Sequence, residues 1–242
     1  MGDYDEKLRE IDFFKLHPSY LPFVGEQYDR YKILQISESH YSEGLDTAKY
    51  GISYFSRWFD EPCPEVETEL LNNRLTRRVC EGVCLGNCFA NFDNPLRSFM
   101  RVLLEMEDPH VNPENRQLYH HFAFMNFYQM PAFEARGYFK KAFHRQAKLE
   151  NAAEAGSALL LKCRQVSTEI VDQVIDILEP RAILFSSIDA WEQYTGCGGK
   201  YADDPRVIHT AHPGQSWHRP LAALGGRTSK EVLETRLKEI YH

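Results

Sequence analysis

The chain has 242 residues, enough for one large domain or two small ones, and 43% of them are hydrophobic, so it can bury a core without disulfides or structural metals. Lys and Arg number 28 against 35 Asp and Glu, a net charge of −7, the reverse of the strongly basic balance of a DNA-packaging protein. No apolar run approaches the roughly 20 residues that a membrane-crossing helix requires.

Residues 1–31 read as irregular or partly helical, with an aromatic, Pro- and Gly-punctuated lead-in, LHPSYLPFVGEQY. The acidic, polar opening MGDYDEKLRE does not read as a signal peptide, which predicts a cytoplasmic protein with reduced thiols. The first predicted strand is 32–37. Helices are predicted over 44–60 and 65–85, separated by DEPCPE, whose prolines disfavour a continuous helix. NFDNPLRSFMRVLLEM reads as a loop entering a helix near Pro95, and LYHHFAFMNFYQ (118–129) as the second strand. RGYFKKAFHRQAKLENAAEAGSALLLK has helical tendency, interrupted around Gly156. Val166, Ile170, Val171, Val174, Ile175 and Leu178 form a helical stripe that Pro180 ends. RAILFSS (181–187) and RVIHTA (206–211) are the third and fourth strands, and SKEVLETRLKEIY is a closing helix.

Short apolar strands alternating with helices predict an α/β fold: a central, mostly parallel four-stranded sheet flanked by helices on both faces. Neither a repeat nor a linker interrupts the chain, so residues 1–242 are expected to form a single domain. Ligands of open α/β sheets bind at the carboxyl ends of the strands. Three of the four predicted strands end there in polar clusters: Glu38-Ser39-His40-Tyr41, Asn126-Phe127-Tyr128-Gln129, and His209 with His212-Pro213-Gly214 and Gln215.

The order and spacing of these segments resemble the uracil-DNA glycosylase superfamily over roughly residues 20 to 240. In that family the first strand ends in a loop such as Gly-Gln-Asp-Pro-Tyr or Gly-Glu-Ala-Pro-Gly; here it is Ser37-Glu38-Ser39-His40-Tyr41. A middle strand carries an Asn that reads the flipped base, at the place of Asn126 in FMNFYQ. A helix leads through Pro into an apolar strand, as in VIDILEPRAILFSS. The last strand delivers His-Pro-Ser, for which VIHTAHPGQ offers His212-Pro213-Gly214.

The resemblance implies hydrolysis of an N-glycosidic bond to uracil or another altered base in DNA. Glu38 would then be the catalytic carboxylate, because Ser39 stands where several branches have Asp or Asn. His212 would donate a hydrogen bond to the departing base. Ser39, His40 and Tyr41 would approach base and sugar, and Asn126 would match the base edge. Phe92 or Tyr41 would stack on the extruded base, and Trp217 would enter the DNA stack as a wedge. The alternative is a non-catalytic protein of the same fold that binds nucleic acid or a nucleobase-containing small molecule; Ser39 and the acidic charge favour it. A serine hydrolase using Ser39 and His212 lacks the Gly-x-Ser-x-Gly elbow. Glu38 and Ser39 also suit helix capping, Asn126 a turn, and His212 an ordinary loop.

Some branches of the family hold an iron–sulfur cluster on four cysteines. Cys80, Cys84 and Cys88 lie at helical spacing with Cys163 downstream, but the family's paired N-terminal cysteines are missing, so no cofactor is expected. The histidines offer no close-spaced ligand pair, so no metal is expected either. RGYFKKAFHRQAK carries Arg136, Lys140, Lys141, Arg145 and Lys148 without an acid. The first four are the expected phosphate contacts of a nucleic acid, with Arg74, Arg77 and Arg78 as a second basic stretch. A solvated helix face is the plain reading of the same charges.

Overall fold

The computed structural model describes residues 3–40, 45–71, 77, 80, 81, 94–104, 119–133, 139–214 and 217–242. Among them a five-stranded mixed sheet is flanked by helices on both faces. Its strands are β1 (Phe23–Val24), β2 (Ile33–His40), β3 (Phe122–Pro131), β4 (Ala182–Phe185) and β5 (Val207–His209), in the spatial order β1-β3-β2-β4-β5. The β3–β2, β2–β4 and β4–β5 pairs are parallel, and β1 pairs antiparallel with β3. The expected four strands are therefore joined by a fifth. Its two residues lie inside the lead-in that reads as irregular, too short to show an alternation. Gly25 lets this edge close: a Cβ there would lie 2.3 Å from the His120 carbonyl oxygen, against the chain that leads into β3.

Alternation along β2 sorts the two cores. Leu34 and Ile36 belong to a large core with α1 (Asp3–Leu8), α2 (Asp12–Leu16), α3 (Ile52–Phe55) and α4 (Pro64–Leu71). Ile33 belongs to a smaller core on the opposite face, under α5 (Asn94–Phe99) and a π-helical turn over Met100–Leu104. The large face also receives α6 (Phe139–Leu149), α7 (Ala153–Leu178) and α8 (Ile188–Gly196), and the smaller face receives α9 (Ser229–Tyr241). β2 and β3 are buried on both faces, which is why they read as near-continuous apolar runs.

The helix predicted over 44–60 is reduced to Ile52–Phe55, with turns on either side. The break between the next two helices falls at 150–152, ahead of the expected point. Gly156 instead lies inside α7, where a Cβ would approach the Ala147 Cβ to 2.5 Å, so the missing side chain serves close packing against α6. The 166–178 stripe is the second half of this 26-residue helix, roughly 39 Å long. It stops on Glu179 in the left-handed region (φ 46°), just before Pro180. The closing helix is bounded as expected, with a capping box in which Thr228 and Glu231 exchange bonds.

Candidate functional site

From β2 the chain moves to β3 on one side, and from β4 to β5 on the other. The β2/β4 boundary is thus the topological switch point, whose carboxyl side is the usual ligand crevice of such sheets. The polar ends of β2 and β4 meet there. Ser37 Oγ lies 2.8 Å from Ser186 Oγ, and Gln35 Nε2 donates to Ser186 Oγ at 3.2 Å. Ser37 pairs in register with Asn126 of β3, so both side chains share one face, that of the smaller core. Gln35 alternates onto the same face as Ser37.

This strip is buried: Gln35, Ser37, Ser39, Asn126 and Ser186 are each at most 8% exposed. Among the described residues, Ser39 Oγ and Gln35 Oε1 have no hydrogen-bond partner. Buried polar atoms are nearly always paired, and an unpaired one costs roughly 1–3 kcal/mol. Ser39 Oγ therefore bonds no imidazole, and the Ser39–His212 pairing of the hydrolase alternative is not formed.

Glu38 points the other way. It lies between Ser37 and Ser39, hence on the face of the larger core, and it is 3% exposed. Its Oε1 accepts from the backbone N–H of Phe139, the first residue of α6, at 3.0 Å. Its Oε2 accepts from Ser187 Oγ at 3.2 Å, and Ser187 also caps α8 by accepting from the Ala190 N–H. Burial pushes the Glu38 carboxyl up, nearby Asp189 adds to the effect, and the two hydrogen bonds oppose it. The expectation that Glu38, Asn126 and His212 face one cleft is thus corrected. Parity along the strand puts Glu38 and Asn126 on opposite faces of the sheet. What Glu38 does visibly is tie two helix N-termini to the end of β2.

Around it, Tyr128 stacks on Phe139 with ring centroids 4.0 Å apart and donates to Asp189 Oδ2 at 2.9 Å. Burial, then Asp189, holds the Tyr128 phenol far above its ordinary value. Tyr128 lies in the larger core with its neighbour Phe127, although it pairs with Ser39, and beyond it the pairing shifts to His40↔Pro131. The Gln129 backbone turns to Ser167 Oγ and the Trp58 indole instead, and the Gln129 side chain donates to the Asn126 carbonyl.

Past β5, the Ala211 N–H donates to Ser229 Oγ at the start of α9, bringing His212 to the carboxyl edge beside that helix. His212 is partly buried, and its Nδ1 accepts from the Gly214 N–H at 3.2 Å, which leaves Nε2 as the protonated nitrogen. Desolvation lowers its pKa, so it is a neutral donor near pH 7. His209 stacks on Trp191 at 5.3 Å on the larger face.

Trp217 is no projecting wedge: it is 1% exposed and packed into the smaller core. Tyr41, Phe92 and Arg136 lie outside the described residues, as do the side chain of His40 and the cysteines Cys84 and Cys88. Cys80 and Cys163 sit in different cores on opposite sheet faces, and burial raises the Cys163 thiol to about 12. Arg77 pairs with Asp5 and Glu81, a structural contact. Sequence reasoning missed Gln35, Ser186, Ser187 and Asp189. The signal was the Ser-Ser pair ending RAILFSS, a fourth polar strand end.

Comparison with models of protein families, with curated proteins and with solved structures returned no match.

Proposed function

We propose that the protein binds a nucleobase, free or carried on a nucleic-acid strand, in the polar strip at the switch point, and that it does so without using Glu38 as a catalytic group. The observation that carries this reading is the pair of buried, unpartnered acceptors toward the carboxyl end of β2, Ser39 Oγ and Gln35 Oε1. A ring N–H or exocyclic amino group of a heterocycle that reaches either acceptor would satisfy it. His212 Nε2–H would add a neutral donor from the β5 side. The ordered resemblance to the glycosylase superfamily points to the same ligand class. Glycosidic hydrolysis is the weaker reading, because it needs a carboxylate beside the sugar, and Glu38 faces the opposite core with both oxygens engaged.

The test is calorimetric titration of wild type, Ser39→Ala and Asn126→Ala with free bases and nucleosides. Wild type should bind at least one of them, and each variant should lose about tenfold or more, the effect of one polar contact of ~1.4 kcal/mol. Ser39→Ala should be as stable as wild type or more so, since it removes an unpaired buried hydroxyl. Absence of binding to every base and nucleoside would refute the reading. Base release from a uracil-containing oligonucleotide would restore the hydrolytic one.

A further inference from the structure

The outer edge of β1 has no strand beside it among the described residues. Gly25 donates its N–H to the Phe122 carbonyl at 2.9 Å, and Val24 stands opposite Ala123. Bonded and non-bonded pairs alternate along an antiparallel ladder, so the Val24 N–H and C=O point away from β3. Phe23, Val24 and Gly25 form one side of a groove of about 940 Å³, near the top of the range for ligand sites. Residues of α1, the Tyr28–Asp29 turn and the end of α7 form the rest. The groove lies at the amino ends of β2, β3 and β4, whereas the base strip lies toward the carboxyl end of β2, so its occupant is independent of the nucleobase reading.

The walls are acidic. Seven carboxylates line the groove, together with Lys7 and Arg77, while Lys32 and Lys200 reach Asp29, Glu179 and Asp176 from outside it. With all four cations counted, three carboxylates are in excess among the described residues, and a protonated His120 would still leave two. Asp3 and Asp5 suit the first turn of α1, and Asp5 is held by Arg77. Helix stability does not account for Asp176 and Glu179. They stand at the end of α7, whose last turn holds no basic residue and where the helix dipole favours a cation. Glu26 and Glu179 project into water, 82% and 77% exposed, and their distances to His120 and Lys32 are 3.9 and 4.0 Å, the outer limit of an ion pair. Tyr4 adds an aromatic wall, edge-on to Tyr28 at 5.5 Å and bonded through its hydroxyl to Asp29 at 2.6 Å. Such a ring face suits a cationic side chain.

We propose that this groove binds an extended, Lys- or Arg-rich segment of a partner polypeptide. The segment adds to the edge of β1 through the Val24 N–H and C=O, and its cations meet Glu26, Asp29 and Glu179. The edge selects a peptide over other cations, because a polyamine would satisfy the carboxylates but leave the backbone pair unused. β1 has only two residues, so the backbone bonds fix the register and the carboxylates supply the attraction.

The experiment is fluorescence anisotropy with the full chain and a labelled peptide alternating Lys and Val, over a series of salt concentrations. Its controls are a Glu–Val peptide of the same length, the Lys–Val peptide with every backbone nitrogen methylated, and spermine as an unlabelled competitor. The double variants Glu26→Gln, Glu179→Gln and Glu26→Lys, Glu179→Lys replace exposed side chains, and circular dichroism checks their folding. Wild type should bind the Lys–Val peptide, more weakly as salt rises. The Lys variant should bind about tenfold more weakly or worse, with the Gln variant between, since repulsion replaces attraction at two positions. The methylated peptide keeps its charge but has no backbone donor, and should also lose about tenfold. No binding at low salt overturns the proposal, as does equal affinity in all three proteins or for the Glu–Val peptide. Two further results overturn the extended peptide as occupant: a methylated peptide that binds as tightly as its parent, and spermine that competes as well as unlabelled peptide at equal amine concentration.

Discussion

Glu38 separates the readings most sharply, because its bonds assign it a structural cost that a catalytic role would not require. Glu38→Ala removes the acceptor of the Phe139 N–H, a buried backbone donor at the start of α6, and one partner of Ser187. Stranding such a donor costs roughly 1–3 kcal/mol. Ser187 keeps its bond to the Ala190 N–H, so the loss should centre near 2 kcal/mol rather than double that. With a urea slope of about 2 kcal/mol per molar, the midpoint should fall by roughly 1 M. Glu38→Gln keeps an acceptor oxygen for Phe139 and should stay within about 1 kcal/mol of wild type near pH 7. The two proteins should differ in pH dependence. A carboxyl raised by burial holds its proton in the folded state after the unfolded chain has released it. Its contribution to stability is therefore complete below the ordinary value near 4.5 and is lost as pH rises through the raised folded value. Relative to Glu38→Gln, wild type should lose stability from pH 4 to pH 7. Urea unfolding followed by circular dichroism at both pH values reads this out. An alanine variant as stable as wild type, or a wild-type minus Gln difference that grows with pH, would refute the bridging role.

Trp217→Ala should destabilise by about 3–5 kcal/mol as a core truncation. It should leave the strand affinity of the folded fraction unchanged; a selective loss of binding at full stability would reinstate the wedge. Thr228→Ala should cost about 1 kcal/mol by opening the capping box of α9, measured as a drop in the thermal midpoint. His212→Gln keeps a donor and should weaken nucleoside binding less than His212→Ala, a ranking that calorimetry checks. Wild-type affinity should hold level between pH 7 and 8, because desolvation lowers the His212 pKa below its ordinary value and leaves the imidazole neutral there.

The layered α/β architecture was legible because β2, β3 and β4 are short apolar runs and α7 and α9 carry clear helical patterns. The carboxyl-edge location of Ser39, Asn126 and His212 followed from the polar residues ending those runs. Two things were not legible. One is β1, whose pairing rests on Gly25 approaching the His120 carbonyl, a contact between segments nearly a hundred residues apart. The other is which residues of SESH share a face. Position past a strand was readable, but a single residue step reverses direction in a strand. The register that fixes Ser37 opposite Asn126 comes from pairing with β3. Trp217 was misassigned for a related reason: a tryptophan in a loop reads as exposed until the second core is known to reach it.

The two faces at the end of β2 now have different work. On one, Glu38 gathers the starts of α6 and α8, so its charge sits at the positive ends of two helices and cannot also lie beside a sugar. On the other, Gln35 and Ser37 meet Ser186 just past β4, and Ser37 pairs with Asn126 of β3. Strand alternation makes these roles inseparable. Any one-residue slip of β2 would turn Glu38 into the polar strip and Ser37 toward α6. The irregularity after Tyr128 ends the regular ladder one step past Glu38, so the register is held by the pairs upstream, Ile33↔Phe122 through Ser37↔Asn126. With both oxygens holding helix starts, Glu38 anchors the end of β2, which explains a carboxylate at the sheet edge without assigning it any chemistry on a ligand.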